Sequence, residues 1–426
     1  MSRLRVGLLG VGTVGSSVAR ALTTRREQLA AAAGAELVLT RAVVRDLKKA
    51  RDIPAQLLST DADALVAADD VDLVVELMGG EEPCRTLIDK ALSNGKHVVT
   101  ANKRVLAWHG DGLFAKAAAK NVALRYEAAV CGGLPVIASL ADDLAANDIH
   151  ELRGIINGTT NFIVTAMAAG GSYADTLAEA QKRGFAEADP SADVDGIDAA
   201  DKLAILVRLA FGAAITPRKI FREGISKLDV RDIALGRELG YTLKLLGMAR
   251  LAEKGVEARV HPVFLPTSHP LARVDGALNA VQVIGDLCGP IMFSGQGAGG
   301  DATASAVLAD MIHVARGARN TTRATRDLPI LPMGEARTRC YFRIAVDDVP
   351  GVFAKITQVL ADHAIGLASV LQREPPQAGG AEIVLLTYSA PEAALAAAEV
   401  ALAKLSCTRS VVARIRVDAP DEHRHA

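Results

Sequence analysis

Glu187, Asp189, Asp193, Asp195, Asp198 and Asp201 form the densest acidic segment of the chain, and Lys202 closes it. Asp198 and Lys202 stand four residues apart, so a helix would present them on one face. Carboxylates gathered in this way can grip a cationic group of a substrate while the lysine handles a proton. A solvated acidic loop has the same composition. Asp189, Asp193 and Asp195 superficially suggest a calcium loop, but the glycine and terminal glutamate of an EF-hand do not fall at the required positions. Lys103 is a second candidate, because it follows the apolar run Lys96–Thr100 where the carboxyl edge of a parallel sheet would lie. A surface loop lysine is the plain alternative.

Near the start, the apolar run Leu4–Leu9 enters Gly10-Val11-Gly12-Thr13-Val14-Gly15 and then a helical stretch. A strand, a glycine turn and a helix in that order suit a dinucleotide. Gly10 permits the tight turn, Gly12 lets the backbone approach a pyrophosphate, and Gly15 lets helix pack on strand. The free N–H groups of the helix N-terminus would receive the phosphate, with Thr13 and Val14 in the contact. A ligand-free packing motif is the competing reading. After the second strand, Arg45 suits a 2′-phosphate and Asp46 suits free ribose hydroxyls. Lys48, Lys49 and Arg51 add positive charge and tilt the choice toward NADP, with NAD still open. No HExxH, Walker A or nucleophile-elbow sequence occurs. The nine histidines lack a second ligand at metal spacing, and His313 reads as packed in a helix.

The elements that must position these groups fall into three blocks. Apolar runs at 36–44, 71–77, 96–100 and 122–126 alternate with helical segments, which predicts a doubly wound parallel sheet, an α/β fold, over about residues 1–130. From 131 to 294 the pattern becomes α+β. It reads as helix 135–145, strand 152–156, a helix ending near Gly184, a helix from Ile197, and strand-like runs at 258–265, 280–283 and 291–293. The glycine cluster Gly295–Gly300 opens a helix through about Arg316, read as a return segment, 295–317, to the first block. Residues 318–337 read as a linker rich in Arg, Thr and Pro. Beyond it, strand 340–346, helix 352–362, strands 367–373 and 382–388, helix 391–405 and strand 411–417 follow the βαββαβ ferredoxin-like order within 338–418. The tail 419–426 reads as disordered.

Composition narrows the function. With 426 residues and 50% hydrophobic content the chain can build large cores, so global disorder is excluded. Forty-eight basic against 49 acidic residues leave no field for polyanions, and 4% aromatics are too few for base-stacking platforms, so nucleic acid is not expected. Five widely separated cysteines offer neither a disulfide framework nor a CxxC pair, which fits a reducing cytoplasm. Residues 154–174 carry no charge, yet Asn157, Thr159, Thr160, Asn161 and four glycines make them a polar loop entering a helix, not a membrane span. Met1–Gly15 mimics a secretion signal, but regular glycines break its apolar run. A cytoplasmic location is expected.

The segments VGLLGVGTVG (6–15), ELMGG (76–80), VVTANK (98–103), YEAAVCGGLPVI (126–137), NGTTNFI (157–163), GFAEADPSADVDGIDAADKL (184–203) and GQGAGGDATASAV (295–307) together resemble the homoserine dehydrogenase family. DDVPGVFAKI (347–356) is similar to the start of an ACT domain, a small amino-acid-sensing module. The resemblance implies interconversion of L-aspartate 4-semialdehyde and L-homoserine with NADP or NAD, in threonine, methionine and isoleucine biosynthesis. It also implies L-threonine as an effector and a homodimer or homotetramer. By the same resemblance, Lys202 is the proton donor to the aldehyde oxygen, and Lys103 is a second active-site lysine near nicotinamide and substrate. Glu187 and Asp198 hold the substrate, with Asp193 in support, while Gly184 and Gly299 border the cofactor. The carbonyls of Glu127, Val130, Gly132 and Leu134 would coordinate sodium. Phe185, Asp301-Ala302 and Gly366 depart from the family pattern. The competing expectations are another amino-acid dehydrogenase acting on a related aldehyde or imine, and a nucleotide- and amino-acid-sensing protein without turnover.

Overall fold

The computed structural model describes residues 2–318, 325–373 and 380–418. Its first sheet is wholly parallel, with strands β1 (Ser2–Leu9), β2 (Ala35–Val43), β3 (Leu58–Ser59), β4 (Leu73–Glu76), β5 (His97–Thr100) and β6 (Leu124–Arg125) in the order β3-β2-β1-β4-β5-β6. That is the doubly wound order expected of alternating strands and helices, with its switch point between β1 and β4. The crossovers are α1 (Thr13–Thr24), α2 (Arg26–Ala33), α3 (Ala62–Ala67), α4 (Cys84–Ser93) and α5 (Lys103–Ala119). Strands buried on both faces read as continuous apolar runs, as in Leu73-Val74-Val75, which is fully buried.

The second sheet joins both remaining blocks. Strands β7 (Ile149–Ile155), β8 (Phe221–Arg222), β9 (Tyr241–Ala252), β10 (Gly255–Pro266), β11 (Leu278–Gly285) and β12 (Gly289–Gln296) are followed by β13 (Arg337–Val346), β14 (Leu367–Arg373), β15 (Ala381–Thr387), β16 (Ala390–Pro391) and β17 (Thr408–Val417). The path is β12-β11-β7-β9-β10-β17-β13-β15-β14, with β16 on β13 and β8 on β10. Over it run α6 (Val136–Ala138), α7 (Gly158–Ala168), α8 (Tyr173–Lys182), α9 (Ser191–Val194), α10 (Ile197–Phe211) and α11 (Val230–Glu238). Then α12 (Gly300–Ala315) returns to pack on α1 and α2. The last helices are α13 (Val352–Asp362) and α14 (Glu392–Ala403). The C-terminal strands take the ferredoxin-like order, fourth-first-third-second, as β17-β13-β15-β14.

Two expectations need revision. The helix 135–145 is only α6, continued by a wide turn over Ser139–Asp143 in which the Leu144 N–H reaches Ser139 O at 2.8 Å. Much of the span read as linker is strapped to the α+β block: Arg326 N donates to Gly212 O at 2.8 Å, and Val256 N to Pro329 O at 2.8 Å. The expected tail lies outside the described residues. Among the described residues, no helix is long and apolar enough to cross a membrane.

Candidate active site

Lys103 is the first residue of α5, and local chemistry starts the helix there. Asn102 caps it by accepting the Val105 N–H at 3.1 Å, and its amide donates to Gly80 O at 2.8 Å. Thr100 donates to Glu76 at 2.7 Å, so the VVTANK and ELMGG segments are tied to each other at the carboxyl edge of the sheet. Gly196, with φ +74°, precedes α10 and sets Asp198 in its first turn, where free N–H groups favour a carboxylate.

Asp198 joins two lysines from different blocks. Its Oδ1 lies 2.7 Å from Lys103 Nζ, and its Oδ2 accepts from Lys202 Nζ at 2.7 Å and from Asn157 Nδ2 at 2.9 Å. Lys202 Nζ also donates to Ile156 O at 2.8 Å. Asn157 bonds Asp193 at 2.7 Å and caps α7 through the Thr160 N–H. Burial works to raise the Asp198 carboxyl, but the ammonium groups of Lys202 and Lys103 hold it well below the usual carboxylate range. Lys103 is raised in turn by the Asp198 charge. Asp193 is pushed up by burial, against the Asn157 bond.

Around this centre, Asp201 clasps α10 to α5 through Trp108 Nε1 at 3.0 Å and Arg104 at 3.4 Å. Glu187 stands apart on an exposed turn and makes no ion pair among the described residues. Composition and spacing did not single out Asn157, although an Asn ahead of Gly-Thr-Thr is a helix-cap signal. Asp201 was read only as part of the acidic run; its contacts needed the fold.

At the glycine motif, Gly10 has φ +96° and a Cβ there would meet Leu77 O at 2.9 Å. Gly12 faces open space, while a Cβ on Gly15 would lie 2.1 Å from Gly10 O. Gly10 and Gly15 thus make the turn and the close helix contact expected of them, Gly12 leaves its side open, and Thr13 and Val14 open α1. Arg45 is exposed two residues beyond β2. Gly184 ends the turn after α8, and Gly299 caps α12. Of the departures, Asp301 pairs with Arg20 at 2.5 Å, Phe185 packs edge-on against Phe162, and a side chain on Gly366 would crowd Tyr388 at 3.1 Å.

The Glu127–Leu134 segment is buried except at Gly133. Glu127 accepts the N–H groups of Ile137 and Ala138 at 2.8 and 2.7 Å, and its own N–H donates to Asp310 at 2.7 Å. Burial and the Asp310 charge push the Glu127 carboxyl up to about 7, and burial takes Asp310 to about 6 despite Arg125. Cys131 and Gly132 both have positive φ, at 56° and 45°. The buried carbonyls of Val130 and Gly132 accept no hydrogen bond among the described residues. Buried carbonyls without donors, beside carboxylates, suit a hard cation.

Comparisons with known proteins identify the family. The family model described as "Homoserine dehydrogenase, NAD binding domain" matches residues 10–127, and "Homoserine dehydrogenase" matches 135–312. A homoserine dehydrogenase of Neisseria gonorrhoeae is 42% identical over 98% of this chain and 99% of its own. The chain belongs to the homoserine dehydrogenase family. The crystal structure of a family member from Thiobacillus denitrificans matches with a TM-score of 0.93 and 44% identity, over 98% of each chain. A hyperthermophilic archaeal homoserine dehydrogenase in complex with NADPH matches at TM-score 0.65 and 26% identity, over 75% of this chain and 99% of that one. Membership makes the chain an oxidoreductase with an NAD(P)-binding domain.

Proposed function

We propose that the chain reduces L-aspartate 4-semialdehyde to L-homoserine with NADPH, and that the Lys103–Asp198–Lys202 cluster carries the reaction. The observation behind this reading is that one buried carboxylate orients two lysines at the carboxyl edge of the nucleotide-binding sheet. The Gly10–Gly15 turn would hold NADPH, with Gly184 and Gly299 at its border, and the bound nicotinamide would supply the hydride. Lys202 then gives its proton to the carbonyl oxygen, so the C=O becomes C–O–H and no alkoxide accumulates. Lys103 adds positive charge beside the same oxygen. Asp198 has both oxygens engaged by three donors, so its part is to aim the lysines. Asp193 and Glu187 take the substrate α-ammonium, and the free N–H groups at the start of α7 suit its carboxylate.

Three further assignments belong to this reading. The division is 1–130 with 295–317 for nucleotide, 131–294 for catalysis and dimerisation, and 338–418 as an ACT module answering to L-threonine. The assembly is a cytoplasmic homodimer or homotetramer. Sodium sits on the carbonyls of Glu127, Val130, Gly132 and Leu134, supported by the carbonyls of Val130 and Gly132, which accept no hydrogen bond among the described residues.

Replacing Lys202 with Met should cut turnover by roughly 10²–10⁴ and leave NADPH affinity nearly unchanged. Near-normal turnover would transfer the proton-donor role to Lys103. Exchanging sodium for tetramethylammonium at fixed ionic strength should lower both the melting temperature and activity. An unchanged melting curve removes the cation from the proposal.

A further inference from the structure

The two helices that carry the lysines are joined at more than the Asp198–Lys103 ion pair. Three residues on from Asp198 and next to Lys202, Asp201 accepts from Trp108 Nε1 at 3.0 Å and from Arg104 at 3.4 Å, both on α5. Asp201 is 3% exposed. The half-buried Trp108 ring meets two guanidinium groups, Arg104 at 4.3 Å on its own helix and Arg218 at 5.1 Å from the turn Pro217–Lys219 of the α+β block. Arg104 also lies 3.6 Å from Glu81, which follows directly on the ELMGG turn and sits 2.7 Å from His109 Nε2. Trp108 thus stands where the nucleotide block meets the α+β block, with a partner on each side.

A single ion pair fixes a distance but leaves α5 free to turn about it. A second contact further along the helix axis removes that freedom. The Lys103 side chain is a flexible four-carbon stem and is 41% exposed, so its ammonium goes where the start of α5 directs it. Burial pushes the Asp201 carboxyl up, against the Trp108 bond and the Arg104 charge. An apolar residue would pack α10 on α5 without the cost of a buried carboxylate, but it could not receive the Trp108 N–H. The carboxylate adds direction, because a hydrogen bond weakens steeply as its angle closes.

We propose that Asp201 is a positioning residue for the reduction: by holding Trp108 it sets the rotation of α5 on α10, and with it the place of the Lys103 ammonium relative to Lys202. It touches neither substrate nor cofactor and acts through Trp108. The inference rests on the reading of the two lysines as the reaction centre.

The test is steady-state reduction of L-aspartate 4-semialdehyde by NADPH with the full chain, normalised to folded protein. Acrylamide quenching of Trp108, the single tryptophan, is read beside it. Asp201→Ala should lower kcat about tenfold or more, with KM for NADPH and for the aldehyde within about twofold of wild type. Asp201→Asn keeps an oxygen for the Trp108 N–H and should hold kcat within about threefold of wild type. Trp108→Phe keeps a ring without the N–H; it should match the alanine variant, and the double variant should be no slower than either single one. Quenching should rise in Asp201→Ala and not in Asp201→Asn. Asp111→Asn, which breaks the ion pair with Arg208 further along the same two helices, should leave kcat unchanged. Wild-type kcat in Asp201→Ala, no rescue by asparagine, losses that multiply in the double variant, or an equal loss in Asp111→Asn overturns the proposal. If Asp201→Ala does not fold, Trp108→Phe decides in its place, and wild-type kcat there has the same force. A wild type that reduces no aldehyde sinks the reading of the lysine pair itself, whereas an active wild type with unaffected variants sinks only the role of Asp201.

Discussion

Arg45 lies two residues past β2, at the place where a doubly wound sheet meets the adenosine ribose. Its guanidinium is exposed and free to approach a 2′-phosphate, while Asp46 is turned inward on its own loop, accepting the Lys48 N–H at 2.8 Å. Arg45→Ala should therefore raise KM for NADPH by about tenfold and leave NADH nearly untouched, since only NADPH carries that phosphate. Equal changes in kcat/KM for the two cofactors would remove Arg45 from the site. At this scale the sequence was most readable where partners are local. Asp198 and Lys202 share a helix face by spacing alone, and Gly10, Gly12 and Gly15 carry their roles in their order. Lys103 reaches Asp198 from another block, so no local pattern announces that ion pair; its place at the sheet's carboxyl edge and the family resemblance marked Lys103 as a candidate but not its partner. Glu187 shows the opposite limit, because its place in the acidic run did not reveal that it stands exposed and without an ion pair among the described residues, open to a substrate and not held by the protein.

Whole elements were legible where periodicity matched the burial. The C-terminal strand 367–373 and helix 352–362 came out at the predicted bounds, and the parallel strands other than the two-residue β3, which was not expected, within about two residues. The strand β9 was not expected. Its sequence, Tyr-Thr-Leu-Lys-Leu-Leu-Gly-Met-Ala-Arg-Leu-Ala, is buried on both faces for most of its length, so it lacks alternation and reads as well for a helix. Its Lys244 is buried and tied to Asn161 and Val274, which masks a core position as a polar one. Between elements, α11 is riveted to β13: Arg343 bonds Asp232 at 2.6 and 2.8 Å and Glu382 at 3.1 Å, and Tyr341 adds a bond to Asp232 at 2.9 Å. Asp232 and Glu382 are 1% and 4% exposed, so removing the guanidinium leaves two buried carboxylates short of a counter-charge. Arg343→Met should cost about 3–5 kcal/mol in denaturant unfolding, with turnover per folded molecule retained. A loss under about 1 kcal/mol would mean that Arg231, 3.0 Å from Glu382, and water suffice to hold the junction.

The C-terminal strands are not a bead on a string. β17 pairs in parallel with β10 at Val263–Arg416 and Phe264–Val417, and Tyr341 packs edge-on against Phe264 at 5.2 Å. A linker rich in Arg, Thr and Pro suggested independence; the strap at Arg326–Leu331 and the shared sheet replace it with continuity, because strand edges pair whatever the chain distance between them. Every group placed in the chemistry, from Lys103 to Lys202, nevertheless lies upstream of residue 335, and α12 returns to the nucleotide sheet before that point. A chain ending after about residue 335 should therefore retain most of its turnover per folded molecule and lose its response to threonine. It should also melt at a lower temperature, because Phe264 is uncovered and Asp232 loses both Tyr341 and Arg343. The measurement is a threonine series on both chains, with melting curves beside it. Threonine inhibition equal in the two forms would place the effector at the catalytic site and end the regulatory assignment of 338–418. A short form that is folded but inactive would show instead that the shared sheet, through β10 and β7, is what keeps Ile156 and Lys202 in register for proton transfer.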